Sequence, residues 1–426
     1  MRLPTDHPLR YVLNNEVHAR PPKEIVAPEQ ISYFALMYGA DVPSRAKADL
    51  ARLCEITGVQ PPPAESSHFH AQMGTIELKW ELHTEFVSYT FSRRTPFDAP
   101  FSKPTMQQIP EQWLESVGGQ LLVGVHLAVR EDSFRVPDLR EIVPQFSGNH
   151  LVGAKVGGGN AIVLTDFRIH EDGFSRMLLM DTGMGKRQGG RLAQRLLELE
   201  TYRMASLLAL PVAREIAGTV TAAEADLASM TTALSHIATA DEPALLKRIT
   251  ALAANVENQL ATTNFRFGAA RAYYSLVKRR IAELREERLE GVQTIDEFLE
   301  RRLAPAMNTC ESAAQRLFNL SERIARTSAL LRSRVDIERE QQNQALLASM
   351  DRRARLQLRL QQTVEGLSVA AITYYVTGLV GYAAKGLHAL GVPVNAEIAV
   401  AVAIPIVAAS VWYGMQRWRK KLAISD

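Results

Sequence analysis

Two uncharged stretches near the C-terminus constrain this chain more than anything else in it. LSVAAITYYVTGLVGYAA fills residues 367–384 and IAVAVAIPIVAASVWYGM fills residues 398–415. As α-helix, each run of about 18 residues is ~27 Å long, close to the hydrocarbon thickness of a bilayer. The connecting KGLHALGVPVNAE holds Gly391 and Pro393, which suit a tight turn. The spacing predicts a two-helix transmembrane hairpin over 366–416, followed by a basic tail over 417–426.

The flanks orient it. Arg352, Arg353, Arg355 and Arg359 precede the first run, and Arg417, Arg419, Lys420 and Lys421 follow the second. Positive charge on both outer flanks places both chain ends on the cytoplasmic side. Trp412, Tyr413 and Trp418 fall where an interfacial aromatic belt belongs. Tyr374 and Tyr375 lie deeper in the first run. A phenol buried in lipid needs a hydrogen-bond partner, so these two are expected against another helix or a pore. Gly378, Gly381 and Gly386 allow helices to approach closely. With only two helices per copy, a pore requires a homo-oligomer, and Tyr374, Tyr375, Thr377 and Gly378 are the lining candidates.

Ahead of this hairpin, residues 188–365 read as a helical or coiled-coil stalk. Leu227, Met230, Leu234 and Ile237 are spaced 3, 4, 3, an a/d seam. Asp241, Glu242 and Pro243 mark a helix start, and Gly291 a stop. Thr294 with Glu297 forms a capping box, and Pro305 is expected to kink or interrupt the helix that starts there. No Gly or Pro lies between Ala306 and Glu365, so one helix can run into the first apolar stretch. Between Arg271 and Glu365 there are 18 basic residues, 17 of them Arg, against 14 acidic ones. That interleaving fits a solvated helix surface better than a nucleic-acid face. The four arginines nearest the bilayer suit anionic lipid.

Residues 1–187 read as an N-terminal α+β domain. Strands are expected at 30–38, 73–93 (two), 121–129, 150–156, 160–170 and 174–181, with helices at 44–56 and 109–117. Hairpins outnumber long crossovers, so the sheet should be largely antiparallel. The fold class is therefore an α+β cytoplasmic domain, a long helical bundle or stalk, and two C-terminal transmembrane helices. The N-terminus, MRLPTDHPLRYVLNNEVHARPP, lacks the apolar core of a secretion signal.

Candidate sites in this domain are sparse. His7, Asn14, Asn15, Glu16, His18 and Arg20 crowd one short segment, a capping element or a weak ligand site. His68 and His70 share a face if strand-like, without a third ligand. VGGGN (156–160) and DTGMGKRQGG (181–190) are glycine-rich, and the second precedes a helix, but neither has nucleotide-loop spacing. Two cysteines, Cys54 and Cys310, exclude a disulfide framework and any multi-thiolate zinc site. No Ser/His/Asp arrangement, paired-carboxylate signature or nucleotide fingerprint stands out. No catalytic residue, metal or cofactor is assigned, and an enzyme is not expected. The net charge of +3 likewise excludes a protein defined by a basic nucleic-acid surface.

HPLRYVLNNEVHARPP, LHTEFVSYTF, TDFRIHEDGF, LELETYRMASLLALPVAREI and TVEGLSVAAITYYVTGLVGY together resemble a family of uncharacterised bacterial membrane-anchored proteins, known as a domain of unknown function. That resemblance implies membrane anchoring and no activity. The layout is also similar to that of the CorA magnesium-transporter superfamily. It departs from that family at its Gly-Met-Asn signature: the first run ends GLVGYAAKG, and Gly414-Met415 precedes Gln416 at the end of the second. The expectation is a homo-oligomeric protein of the bacterial inner membrane, a cytoplasm-facing scaffold or sensor whose partners are itself, the bilayer and a cytoplasmic protein. The alternative is an ion or small-solute channel.

Overall fold

The computed structural model describes residues 4–18, 22–39, 42–131, 138–236, 242–390 and 393–422. The chain divides into two compact units, Met1–His236 with Ala244–Ser328, and Ile237–Pro243 with Ala329–Asp426.

The elements run α1 (Arg10–His18), β1 (Glu29–Met37), α2 (Val42–Thr57), β2 (His68–Met73), β3 (Ile76–Leu82), β4 (Phe86–Arg94), α3 (Glu111–Ser116), β5 (Gln120–Glu131), α4 (Leu139–Ile142), β6 (Val152–Val156), β7 (Ala161–Ile169) and β8 (Ser175–Asp181). The chain continues through α5 (Lys186–Leu207), α6 (Ala209–His236), α7 (Glu242–Leu284), α8 (Ile295–Arg302), α9 (Ala304–Ala389) and α10 (Ala396–Leu422).

The eight strands form one sheet in the order β2-β3-β4-β1-β5-β8-β7-β6. Every neighbouring pair is antiparallel except β5 and β8. The α+β class and the largely antiparallel sheet are thus present. Alternation along the strands sets two different faces. Phe34, Leu36, Leu78, Trp80, Tyr89 and Phe91 point to one side and meet Leu50 and Leu53 of α2 and Trp113 of α3. Phe34 stacks on Tyr89 at 5.1 Å, and Trp113 meets Tyr89 edge-on at 5.2 Å. Trp113 Nε1 donates to the Asp49 carbonyl at 2.8 Å, so the indole is buried without an unpaired N–H. The opposite face carries Ile31 and Tyr33 of β1 beside polar residues of β3 and β4, and α5 covers it.

Local signals and the structure differ at a few places. β2, an edge strand of sequence HFHAQM, is exposed on alternate residues and has too little apolar contrast to announce itself. Gly291 does not end α7; the helix stops at Leu284, where Arg285 takes a φ of +50°, and Gly291 (φ +80°) lies in the following loop. The Thr294–Glu297 capping box forms on α8, and Glu286 adds acceptors for the Ile295 and Asp296 amides. Pro305 stands in the first turn of α9, where its missing N–H is harmless. The break falls just before it, at Leu303. Leu227 and Met230 of the α6 seam are buried and Leu234 half-buried; Ile237, Asp241 and Gly391 lie outside the described residues.

In the second unit, the last part of α9 and α10 contain two segments long and apolar enough to cross a membrane, with mean hydropathy 1.4 and 2.0. Within these apolar segments only 11% and 6% of residues are buried. Gly381 lies against α10: a Cβ there would sit 3.0 Å from Val400 Cγ2. Ala384, one turn on, is buried as well.

Candidate functional site

A slot of about 60 Å³ lies in the first unit between the polar sheet face and α5. Strand register builds its floor in rows. Ile31, Ser92 and Glu77 lie abreast, then Tyr33, Thr90 and Lys79, then Ala35, Ser88 and Glu81. Ala193 and Leu197 of α5 form an apolar roof, with Gln194 and Glu198 beside them.

One end is closed by a strap, residues 22–26, that crosses α5 at two glycines. The Ile25 amide donates to the Lys186 carbonyl at 3.1 Å. At Gly190 the contact is so close that a Cβ would lie 1.7 Å from the Lys23 carbonyl oxygen. This is why the run KRQGGR interrupts a helix with residues of poor helix propensity. The strap delivers Lys23, whose Nζ reaches Glu29 and Glu77 at 2.5 Å each and also Ser92 Oγ. Burial raises the Glu77 carboxyl, but Lys23 and His70 together hold it below the ordinary range.

Lys23, Lys79, Glu81 and Glu198, which line the slot, each stand in an ion pair. Lys79 Nζ lies 3.1 Å from Glu81, and Glu198 accepts from Arg280 and, at 2.7 Å, from Gln194. Thr201 Oγ1 donates to the Leu197 carbonyl at 2.8 Å, which leaves its oxygen to accept from Tyr33 at 2.7 Å. Burial pushes the Tyr33 phenol up, so it stays a neutral donor. Ser88 and Thr90 differ: among the described residues neither hydroxyl has a side-chain hydrogen bond, although Ser88 is only 2% exposed.

The residues singled out from sequence fall elsewhere. Tyr374 and Tyr375 are exposed on α9, edge-on to one another at 5.7 Å, and Gly378 faces open space. Thr377 is buried on the side of α9 that carries Gly381, and its hydroxyl donates to the Thr373 carbonyl at 2.6 Å. Arg352, Arg353, Arg355 and Arg359 are exposed, with Arg355 paired to Asp351 one turn earlier at 2.7 Å. Arg417 is exposed; the side chains of Arg419, Lys420 and Lys421 lie outside the described residues. His7, Asn14 and Asn15 are exposed on and just before α1, where His7 Nδ1 accepts from the Leu9 amide at 3.2 Å. The Glu16 and His18 side chains and all of Arg20 are outside the described residues.

Two groupings that sequence spacing could not reveal appear in the sheet. Ser32 Oγ lies 3.0 Å from His126 Nδ1, and Asp172 lies 3.7 Å from His126 Nε2. Ser32 is fully buried and also accepts from the Met106 amide, so no substrate carbonyl can reach it. His126 stacks on Phe174 at 4.1 Å. Burial, with Arg176 and His170 nearby, lowers its pKa to about 4 against the pull of Asp172. The arrangement therefore packs the sheet around a neutral imidazole. The two glycine-rich loops also meet before α5. Thr182 bonds to the Asn160 and Gly159 carbonyls, and the Asp181 carboxylate accepts from the Gly183 and Met184 amides. The carboxylate thus fastens the loop just ahead of α5. Among the described residues no cluster of three or more His, Cys, Asp or Glu side chains could hold a metal.

A family model described as a protein of unknown function, DUF3422, matches residues 5–422, and the chain belongs to that family. No curated protein matches it.

Proposed function

We propose that this DUF3422 chain is a self-associating sensor or scaffold tethered to the bacterial inner membrane by α10 and the apolar part of α9, with both chain ends cytoplasmic. One observation carries the anchoring: hardly any residue of the two apolar segments is buried. A core hairpin of a water-soluble protein hides its leucines and isoleucines. Here Leu367, Leu379, Tyr382, Ile398 and Ile406 stand between 59% and 75% exposed, and lipid is the solvent that suits them. The arginines at 352–359 and the basic tail supply the cytoplasmic bias. Tyr374 and Tyr375 carry hydroxyls on outward faces, and the side chains of a second copy satisfy them best within lipid. Sensing is favoured by the slot beneath α5, a preformed cavity with unused hydroxyls.

The test uses two single-cysteine placements. Cys54 and Cys310 are buried, and burial raises both thiols, so the native chain gives little background labelling. A cysteine at His388 is expected to react with an impermeant maleimide in intact cells, and one at Ser425 only after lysis. Recovery of the protein in the soluble fraction, or labelling of Ser425→Cys in intact cells, overturns the topology. A monomeric mass in mild detergent overturns self-association.

A further inference from the structure

The slot beneath α5 is a recognition site whose ligand chemistry can be read from its charges. We infer that it binds a small uncharged solute bearing hydroxyl or amide groups, held by Ser88, Thr90 and Lys79 against the apolar roof of Ala193 and Leu197. This deepens the sensor reading by naming what is sensed; it concerns the first unit and holds whether or not α9 and α10 cross a bilayer.

Size sets the first bound. The cavity, about 60 Å³, accommodates roughly four to six waters. A ligand of similar bulk has about as many non-hydrogen atoms, the size of a short diol, a triol or a simple amide. Charge sets the second. Lys23 is held by Glu29 and Glu77, Lys79 by Glu81, and Glu198 by Arg280. An ion entering this space would need either a free counter-charge or the breaking of a buried pair, and both are costly. A zwitterion meets the same obstacle at each end.

Hydrogen bonding sets the third. Ser88 is 2% exposed, lines the cavity, and has no side-chain partner among the described residues; Thr90 beside it has none either. Neither oxygen is sealed off from accessible space, so water meets both in the free protein, and a solute with matching hydrogen bonds can replace that water. Lys79 lies abreast of Thr90, and its ammonium has donors left after one bond to Glu81. Two hydroxyls that both donate and accept, with one further donor, match a solute that also does both. Ala193, Leu197 and Ile31 cover its carbon side, replacing the water such a solute sheds least reluctantly.

The experiment is saturation-transfer NMR on the full-length protein in detergent. The probes are propane-1,2-diol, glycerol and acetamide, set against acetate, ethylammonium and glycine. A ligand this small binds in about the millimolar range. The three uncharged probes are expected to receive saturation and the three charged ones not. Ser88→Ala combined with Thr90→Val keeps shape and removes both hydroxyls; it is expected to weaken binding about tenfold. Thr90→Ser retains the hydroxyl and should bind nearly as the parent does. Ala193→Met fills the roof and should abolish binding even where the double variant folds poorly. No transfer to any uncharged probe means that the slot holds water only and overturns the proposal. Preferential binding of a charged probe or of glycine, or binding indifferent to Ala193→Met, overturns it equally. None of these outcomes depends on membrane insertion, so a soluble but binding-competent chain would remove the anchor alone.

Discussion

Replacing Gly190 with alanine tests the strap most directly, because its neighbour Gly189 supplies a control of opposite sign. Both glycines lie inside α5, and an alanine in a helix interior ordinarily stabilises by about 0.5–1 kcal/mol over glycine. At Gly189 the nearest atom to a new Cβ is Ile25 Cβ at 3.6 Å, an ordinary contact, so Gly189→Ala should realise that gain. At Gly190 the new carbon would lie 1.7 Å from the Lys23 carbonyl oxygen and 2.9 Å from its carbonyl carbon, both main-chain atoms that cannot rotate away. The strap has to lift. Overpacking alone costs about 1–3 kcal/mol, and losing one partner of a buried ion pair about 3–5 kcal/mol. Lys23 is partly retained by its flexible stem, so a net loss of about 3 kcal/mol is expected for Gly190→Ala. Denaturant unfolding of the full-length protein in detergent, followed by the fluorescence of buried Trp80 and Trp113, reads the difference as a shift in midpoint at constant slope. Alanines that shift the midpoint in the same direction, or a Gly190→Ala protein as stable as the parent, would refute the close crossing.

Acid should weaken the first unit through His126. Its folded pKa of about 4 lies below the unfolded value of about 6.5, so the unfolded chain takes the proton first. Stability from this group is complete above about pH 6.5 and falls by about 3 kcal/mol as pH drops to 4; His126→Gln should flatten that window in a pH series of unfolding midpoints. In α6, Leu227→Asp places a charge at a site 1% exposed and should cost several kcal/mol, whereas Leu234→Asp, at a half-buried site, should cost less. Equal losses in thermal unfolding would mean that the seam does not continue past Met230. Between α9 and α10, Gly381→Leu must displace Val400 and should lower stability by about 1–3 kcal/mol, while Gly378→Leu enters open space and should not. Ion flux in liposomes that survives Gly378→Leu in an assembled protein would remove that glycine from any pore lining.

What could be read from sequence was what neighbours in sequence determine. The capping box at Thr294 and Glu297 spans only four residues, and it forms as expected. The apolar stretches declared themselves by composition alone. Structure built across long separations was not legible. The slot draws Lys23, Lys79, Ser88, Thr90 and Ala193 from the strap, two strands and a helix, and none of these is unusual in its own window. The parallel pairing of β5 with β8 depends on a segment of about fifty residues returning to the same edge, which no local pattern encodes. Arg285 ended α7 by adopting a left-handed conformation usually left to glycine, and for that reason Gly291 was the more visible signal. Ser32, His126 and Asp172 met because three separate strands and turns placed them together, not because of spacing.

The position of β1 has a consequence for how the chain is made. It precedes the other seven strands of the sheet in the chain, yet it lies in the interior, between β4 and β5. Its partner on one side ends at Arg94 and on the other at Glu131. At about 5–20 residues per second, synthesis takes roughly 5–20 s to travel from the end of β1 to the end of β5. Until Arg94 the uncharged run ISYFALMY has both edges unmet, and from there to Glu131 one edge stays open, the condition under which short apolar strands pair with copies on neighbouring chains. A nascent chain of this kind benefits from a holding chaperone until the fifth strand emerges. Overexpression that outruns the supply of such chaperones should deposit the first forty residues in the insoluble fraction ahead of any defect in the hairpin.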